Sequence, residues 1–166
     1  PLPTNWFFLE QTPFDRDAAL RGVLDDNPSL KFPPGTKYSY SNLGYWLLEQ
    51  VIEAASGQDY ADYVIESVFG RIGIGADQIS FEMPQPGKLS TGYTRRFSAM
   101  TMLLRLMSPK RFWSDAPAEE GWARMERVYN WGRGYGGIYC TAGALAALLR
   151  DLLREKPAVM SDQARQ

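Results

Sequence analysis

The run from Phe32 to Gly57, FPPGTKYSYSNLGYWLLEQVIEAASG, restricts the backbone more than any other part of the chain. Pro33 and Pro34 fix φ and Gly35 permits a positive φ, so Phe32 to Thr36 is expected to form a rigid turn. Tyr38 to Ser41 is too short for more than an extended connector. Asn42 has a suitable side chain to cap a helix in which Leu43, Trp46, Leu47, Val51 and Ala54 recur on one face. Ser56-Gly57 closes that helix. The spacing predicts Trp46, Leu47 and Val51 in the core, and Ser41 in a structural role.

Other elements follow from local signals. Pro1 to Pro13, with Trp6, Phe7 and Phe8, reads as an irregular packed segment. Asp15 is placed to cap a helix carrying Leu20, Val23 and Leu24 and ending near Asn27-Pro28. Asp59 is expected to cap a second amphipathic helix with Tyr60, Tyr63, Val64 and Val68 inside. Gly70 to Gly75 reads as a break, and Ile79 to Tyr93 has weak strand character among turn residues. Met100 to Leu106 reads as helix. Pro117 fits the first turn of a helix carrying Trp122, Met125 and Tyr129. After Gly132 to Gly137, Thr141 is expected to cap a last helix with Leu145, Leu148, Leu149, Leu152 and Leu153. No repeat recurs at a fixed period. These signals predict one mostly helical domain over residues 1–166.

Composition excludes several kinds of chemistry. The chain contains no histidine, so neither a Ser-His-Asp nor a Cys-His arrangement can be assembled from it, and zinc sites built on His are out. The single Cys140 cannot form an internal disulfide and reads as a small buried hydrophobe. A net charge of −1 offers no long-range field for nucleic acid or an anionic membrane. The apolar stretch Gly134 to Leu149 is too short and too glycine-broken to span a bilayer. No signal peptide is visible, and the compartment stays open. Asp25-Asp26 and Glu119-Glu120 read as solvated helix-end charges, and Arg95-Arg96-Phe97 as a surface turn. Gly136-Gly137 could cradle an anion, although a tight turn explains it with less.

The Phe32 to Gly57 block resembles a stretch found throughout class C serine β-lactamases, their esterase relatives and low-molecular-weight penicillin-binding proteins. Pro34-Gly35-Thr36, Tyr40-Ser41-Asn42, Leu43-Gly44-Tyr45 and Ser56-Gly57 stand at the family's spacing. Leu89-Ser90-Thr91-Gly92-Tyr93 resembles its LAxGY segment, and Tyr135 to Thr141 its GGLxST element. The resemblance runs from about Lys31 to Leu153. It implies a mainly α chain, the helical subdomain of the α+β serine β-lactamase and DD-peptidase fold without most of its sheet domain.

The resemblance also assigns roles. The family forms an acyl-enzyme on a serine, with a lysine and a tyrosine managing the proton. Tyr40 matches that tyrosine, and nearby ammonium groups would favour its phenolate. Asn42 stands two residues on, so in an extended segment both side chains face one way. Its amide can donate to a substrate carbonyl and accept from the lysine. From the two residues alone, a packed tyrosine and a helix cap are the favoured reading; the surrounding block turns the balance toward the site, and for Asn42 the two are compatible.

Two of the family's motifs are missing from the sequence. No serine has lysine three residues later; Ser108-Pro109-Lys110 is one residue short. Lys88-Leu89-Ser90-Thr91-Gly92 holds the letters of the third motif, Lys/His-Thr-Gly, at the wrong spacing. The expectation is therefore part of a hydrolase for a β-lactam, ester or D-alanyl peptide, inactive until N- and C-terminal parts are supplied. One alternative is a non-catalytic helical binding or scaffold module derived from the family. Another is weak esterase activity through Ser39, Ser41 or Ser90. The substrate-binding residues are undetermined, and no metal or organic cofactor is implied. An apolar face left uncovered without the sheet domain would allow the chain to dimerise or aggregate, which leaves a homo-oligomer open.

Overall fold

Each of the five α-helices among the described residues begins at a side chain that accepts a free backbone N–H of the first turn. A computed structural model describes residues 7–8, 13–85, 87–108, 110–115, 119–161 and 163–165. Along the chain these form β1 (Phe7–Phe8), α1 (Arg16–Asp25), α2 (Asn42–Ser56), α3 (Tyr60–Val64), β2 (Ile79–Ser80), β3 (Tyr93–Arg95), α4 (Ala99–Met107), β4 (Trp122–Arg124), β5 (Tyr129–Asn130), β6 (Tyr139–Cys140) and α5 (Ala142–Leu152). Helix accounts for 44% and strand for 10%, so the chain is mainly α, as expected. No helix among the described residues is long and apolar enough to cross a membrane. Most of the Pro1 to Pro13 segment, and Pro117, lie outside the described residues.

The chain divides into two compact units. The first gathers Ser29–Met83 and Gly132–Gln166, and the second Leu2–Pro28 and Pro84–Trp131. In the first unit, Phe69, Ile74, Ile79 and Ala144 form a buried cluster, with Val64, Ile65, Val68, Ile72, Ala147 and Leu148 packed around it. Helix α3 reaches this cluster by widening into a π turn over Ile65–Phe69 and tightening into a 3-10 turn over Gly70–Ile72. Gly73 ends that run at φ 75°, a backbone state that costs glycine little. Strands β2 and β6 pair antiparallel, Ile79 opposite Cys140, just ahead of α5.

The second unit is built on short pairings. Strands β3 and β4 are antiparallel, with Thr94 opposite Ala123, and β1 pairs with β5. Fully buried Thr101 on α4 ties this unit together: its hydroxyl donates to Arg95 O at 2.6 Å, and the Thr94 and Ser98 hydroxyls lie 2.8 and 2.9 Å from it. A buried hydroxyl needs such partners, since an unmet one costs about 1–3 kcal/mol.

Four local expectations give way to the structure. Ser41, not Asn42, caps α2: its backbone is extended and its Oγ accepts Gly44 N–H at 3.2 Å, so Asn42 is already the first helical residue. The expected helix across Trp122 to Tyr129 is instead β4 and β5. Gly121, at φ 81°, turns the chain, and Ala123 is buried between Trp122 and Arg124 with the two-residue period of a strand. Leu47 and Val51 are exposed, because α2 buries the side that carries Trp46 and Glu49. Cys140 is exposed rather than buried. On α5 the leucine stripe also divides, with Leu148 partly buried and Leu145 and Leu149 exposed. The caps at Asp15, Asp59 and Thr141 and the stop at Gly57 fall where the residues predict, whereas the break expected over Gly70 to Gly75 begins only at Gly73, since Gly70–Ile72 continue as a 3-10 turn.

Candidate functional site

The Tyr40-Ser41-Asn42 segment leads directly into α2, and the turn before it sets its approach. Thr36 N–H and the Thr36 hydroxyl both donate to Pro33 O, at 3.3 and 2.7 Å, while Gly35 supplies a φ of 76°. Residues 37–41 form no ladder and are exposed. Tyr40 is 62% exposed, with its ring 5.6 Å from that of Tyr45 one helical turn further on. Asn42 is exposed as well. Tyr40 and Asn42 thus share one end of α2, open to solvent. No hydrogen bond joins them among the described residues, and only Ser41 between them is extended, so simple strand alternation does not govern their directions.

Behind this end, α2 is fixed by a buried carboxylate that the helical period did not reveal. Glu49 is 0% exposed and accepts Gly134 N–H at 2.8 Å. Gly134 sits in a 3-10 turn over Arg133–Tyr135 that packs against α2. A Cβ at position 134 would stand 2.4 Å from Tyr45 O and 2.9 Å from Glu49 Cβ, so the approach requires glycine. Tyr135 meets Trp46 edge-on at 6.3 Å between centroids. Arg133 pairs with Asp59, the cap of α3. Glu53, one turn beyond Glu49, accepts Tyr60 N–H at 3.0 Å. The start of α3 and the 133–135 turn are therefore both tied to one face of α2.

That face is electrostatically unusual. Burial first and the Glu49 charge second push the Tyr135 phenol up to about 12, against a partial offset from its hydrogen bond with Gly132. The same two causes raise Tyr60. These phenols are partly buried against α2, whereas Tyr38, Tyr40 and Tyr45 are exposed near its N-terminal end. Sequence reasoning missed Glu49 altogether, and read Gly134 and Tyr135 only as part of a glycine run and a family-like element, not as packing partners of α2. The run Gly132 to Gly137 was the available signal, since repeated glycine marks close backbone approach.

The downstream segments that resemble family elements fall in different places. Leu89 to Gly92 forms a loop ahead of β3 in the second unit. Tyr135 to Thr141 belongs to the first unit, where Gly137 turns at φ 84° before β6 and the cap of α5. Ser41 Oγ is occupied as a cap acceptor, while Ser39 and Ser90 are exposed. Among the described residues no three His, Cys, Asp or Glu side chains gather where they could hold a metal ion.

Comparison with known proteins matches residues 8–166 to a family described as Beta-lactamase. The chain is 35% identical over 60 residues to a D-aminopeptidase of Gluconobacter oxydans, covering 36% of this chain and 11% of that protein. It is 43% identical over 47 residues to Penicillin-binding protein 4* of Bacillus subtilis, covering 28% and 10%. Over 41 residues it is 46% identical to the mitochondrial serine beta-lactamase-like protein LACTB of Mus musculus, covering 25% and 7%. The matched stretches thus span only a small part of each relative's length. No solved structure matches the chain.

Proposed function

Because the chain belongs to the beta-lactamase family, we propose that it carries the Tyr-Ser-Asn part of a serine hydrolase site that works through an acyl-enzyme. The observation that carries this reading is Tyr40, 62% exposed beside Asn42 at the end of a helix braced from behind by Glu49. A phenol that relays protons must be reachable by both nucleophile and leaving group, and a solvent-facing position on a rigid element meets that need.

In this reading Tyr40 takes the proton from a serine hydroxyl as the oxygen attacks the acyl carbon, then returns it to the leaving group. Water repeats the sequence to release the acid. The Asn42 amide donates to the substrate's carbonyl side and holds the reacting bond against the phenol. The serine and its lysine come from a Ser-x-x-Lys segment and a third element from Lys/His-Thr-Gly, neither of which the sequence contains. The chain is therefore inert alone and acts as the helical part of the family's α+β fold. Its substrate is a small acyl compound: a β-lactam, an ester or a D-alanyl peptide.

The uncovered apolar side of α2 supports the same reading. Tyr45, Leu47, Leu48 and Val51 face solvent on the helix that carries the proposed site, a surface that a further part of the hydrolase or a second copy would cover. The test is hydrolysis of a chromogenic ester and a chromogenic cephalosporin by the pure chain, alone and completed with a segment bearing both missing motifs. The chain alone should show no turnover, and the completed protein should show turnover that depends on Tyr40. Turnover by the chain alone through Ser39 or Ser90, surviving Tyr40→Phe, would defeat the assignment. Absence of turnover after completion would favour the scaffold reading.

A further inference from the structure

We propose that an arginine-lined groove at the end of α5, away from the Tyr40 segment in sequence, binds the phosphate group of a small phosphate monoester. The groove is an open cavity of about 570 Å³ lined by Arg71, Ile72, Ala147, Arg150, Asp151 and Arg154. All six residues belong to the first compact unit. Arg150 comes from the last turn of α5, Arg154 from the segment just past its end, and Arg71 from the Gly70–Ile72 turn.

The charge balance in the groove favours a dianion. Asp151 is 3% exposed and its carboxylate is already engaged: Oδ2 accepts Ala158 N–H at 2.9 Å and Val159 N–H at 3.2 Å, while Oδ1 lies 3.4 Å from Arg154. Among the described residues, neither Arg71 nor Arg150 forms a salt bridge. Asp151 offsets Arg154, which leaves two guanidinium groups facing one cavity. On a chain of net charge −1 that is a local concentration and not a general cationic surface.

Guanidinium groups match the geometry of phosphate oxygens with paired donors, and two of them match its double charge. Ile72 and Ala147 give the same groove an apolar wall, against which the organic group of a monoester would rest. A bare phosphate would leave that wall uncovered. The ligand class is therefore a phosphate monoester with a small apolar body.

Calorimetric titration of the full chain with phenyl phosphate and with inorganic phosphate, at constant ionic strength set by sodium chloride, tests the proposal. Saturable binding of phenyl phosphate is expected, with inorganic phosphate weaker. The double variant R71A/R150A should weaken it by about tenfold or more. R71K/R150K, which keeps the charge but loses the paired donors, should also weaken it. R95A/R96A, which removes two exposed arginines of the second unit, should not. Thermal melts confirm that the variants are folded. The proposal is overturned by no saturable binding, by equal affinity for the two probes, by full affinity in R71K/R150K, or by equal losses in R71A/R150A and R95A/R96A.

Discussion

The Glu49 carboxylate accepts the Gly134 backbone N–H at 2.8 Å, with no part of Glu49 exposed. Residues 85 positions apart are thereby held in contact, and the helix leading from Tyr40 and Asn42 is fixed against a glycine turn. The interaction is built from a carboxyl acceptor in a dry place, where a missing partner is costly.

Glu49→Ala should destabilise the fold by about 2–3 kcal/mol, since it leaves Gly134 N–H buried without its acceptor and opens a void. Glu49→Gln keeps an acceptor and should cost about 1 kcal/mol. Gly134→Ala should cost about 1–3 kcal/mol, because its methyl group meets backbone at Tyr45 that cannot swing aside. Urea unfolding followed by tryptophan fluorescence measures all three. Equal stability of Glu49→Ala and the native chain would refute the brace.

Alkaline pH should weaken the fold in a defined window. The Tyr135 phenol ionises near 10.0 when unfolded and at about 12 when folded, so its contribution is complete below pH 10.0 and fades as pH rises toward 12. Tyr60 shifts in the same direction. Tyr135→Phe should flatten the fall of melting temperature across that window, and Glu49→Gln should lower the phenol transition followed by ultraviolet absorbance. An unchanged transition in Glu49→Gln would remove Glu49 as a cause.

The cap of α2 separates two neighbouring residues. Ser41→Ala should lose about 1 kcal/mol, the usual cost of a missing cap acceptor. Asn42→Ala should stay within about 0.5 kcal/mol of the native chain, as expected for an exposed residue that caps nothing. Thermal unfolding of the pair decides between them, and the reverse ranking would restore Asn42 as the cap.

These assignments show what the residues made legible. Caps at Asp15, Asp59 and Thr141 and the glycine stop at Gly57 act through neighbours a few positions away, so local sequence reveals them. The Pro33 to Thr36 turn is legible for the same reason. The strand at Trp122 to Arg124 exists because Tyr93 to Arg95 lies beside it, and its Trp122, Met125, Tyr129 spacing matched a helical period by accident. The buried face of α2 was hidden differently. Hydrophobicity pointed to Leu47 and Val51, but Glu49 lies on the inward side, where its carboxyl meets the N–H of Gly134, 85 positions away. In the site segment, the Tyr-x-Asn spacing and its place before a helix were readable, while the brace behind it was not.

Exposed Leu47, Leu48 and Val51 should make the chain self-associate as concentration rises. Sedimentation velocity should show a species heavier than the monomer, and Leu48→Glu with Val51→Glu should return it to a monomer without loss of helix by circular dichroism. A native chain that stays monomeric at high concentration would mean this face needs no cover.

The most direct measurement is kcat/KM for a chromogenic ester in the chain completed with Ser-x-x-Lys and Lys/His-Thr-Gly segments, compared between native Tyr40 and Tyr40→Phe. Removing one exposed hydroxyl should leave the melting temperature unchanged and lower kcat/KM by about a hundredfold or more, the usual scale for a lost proton-transfer group. Undiminished turnover in Tyr40→Phe would contradict the account.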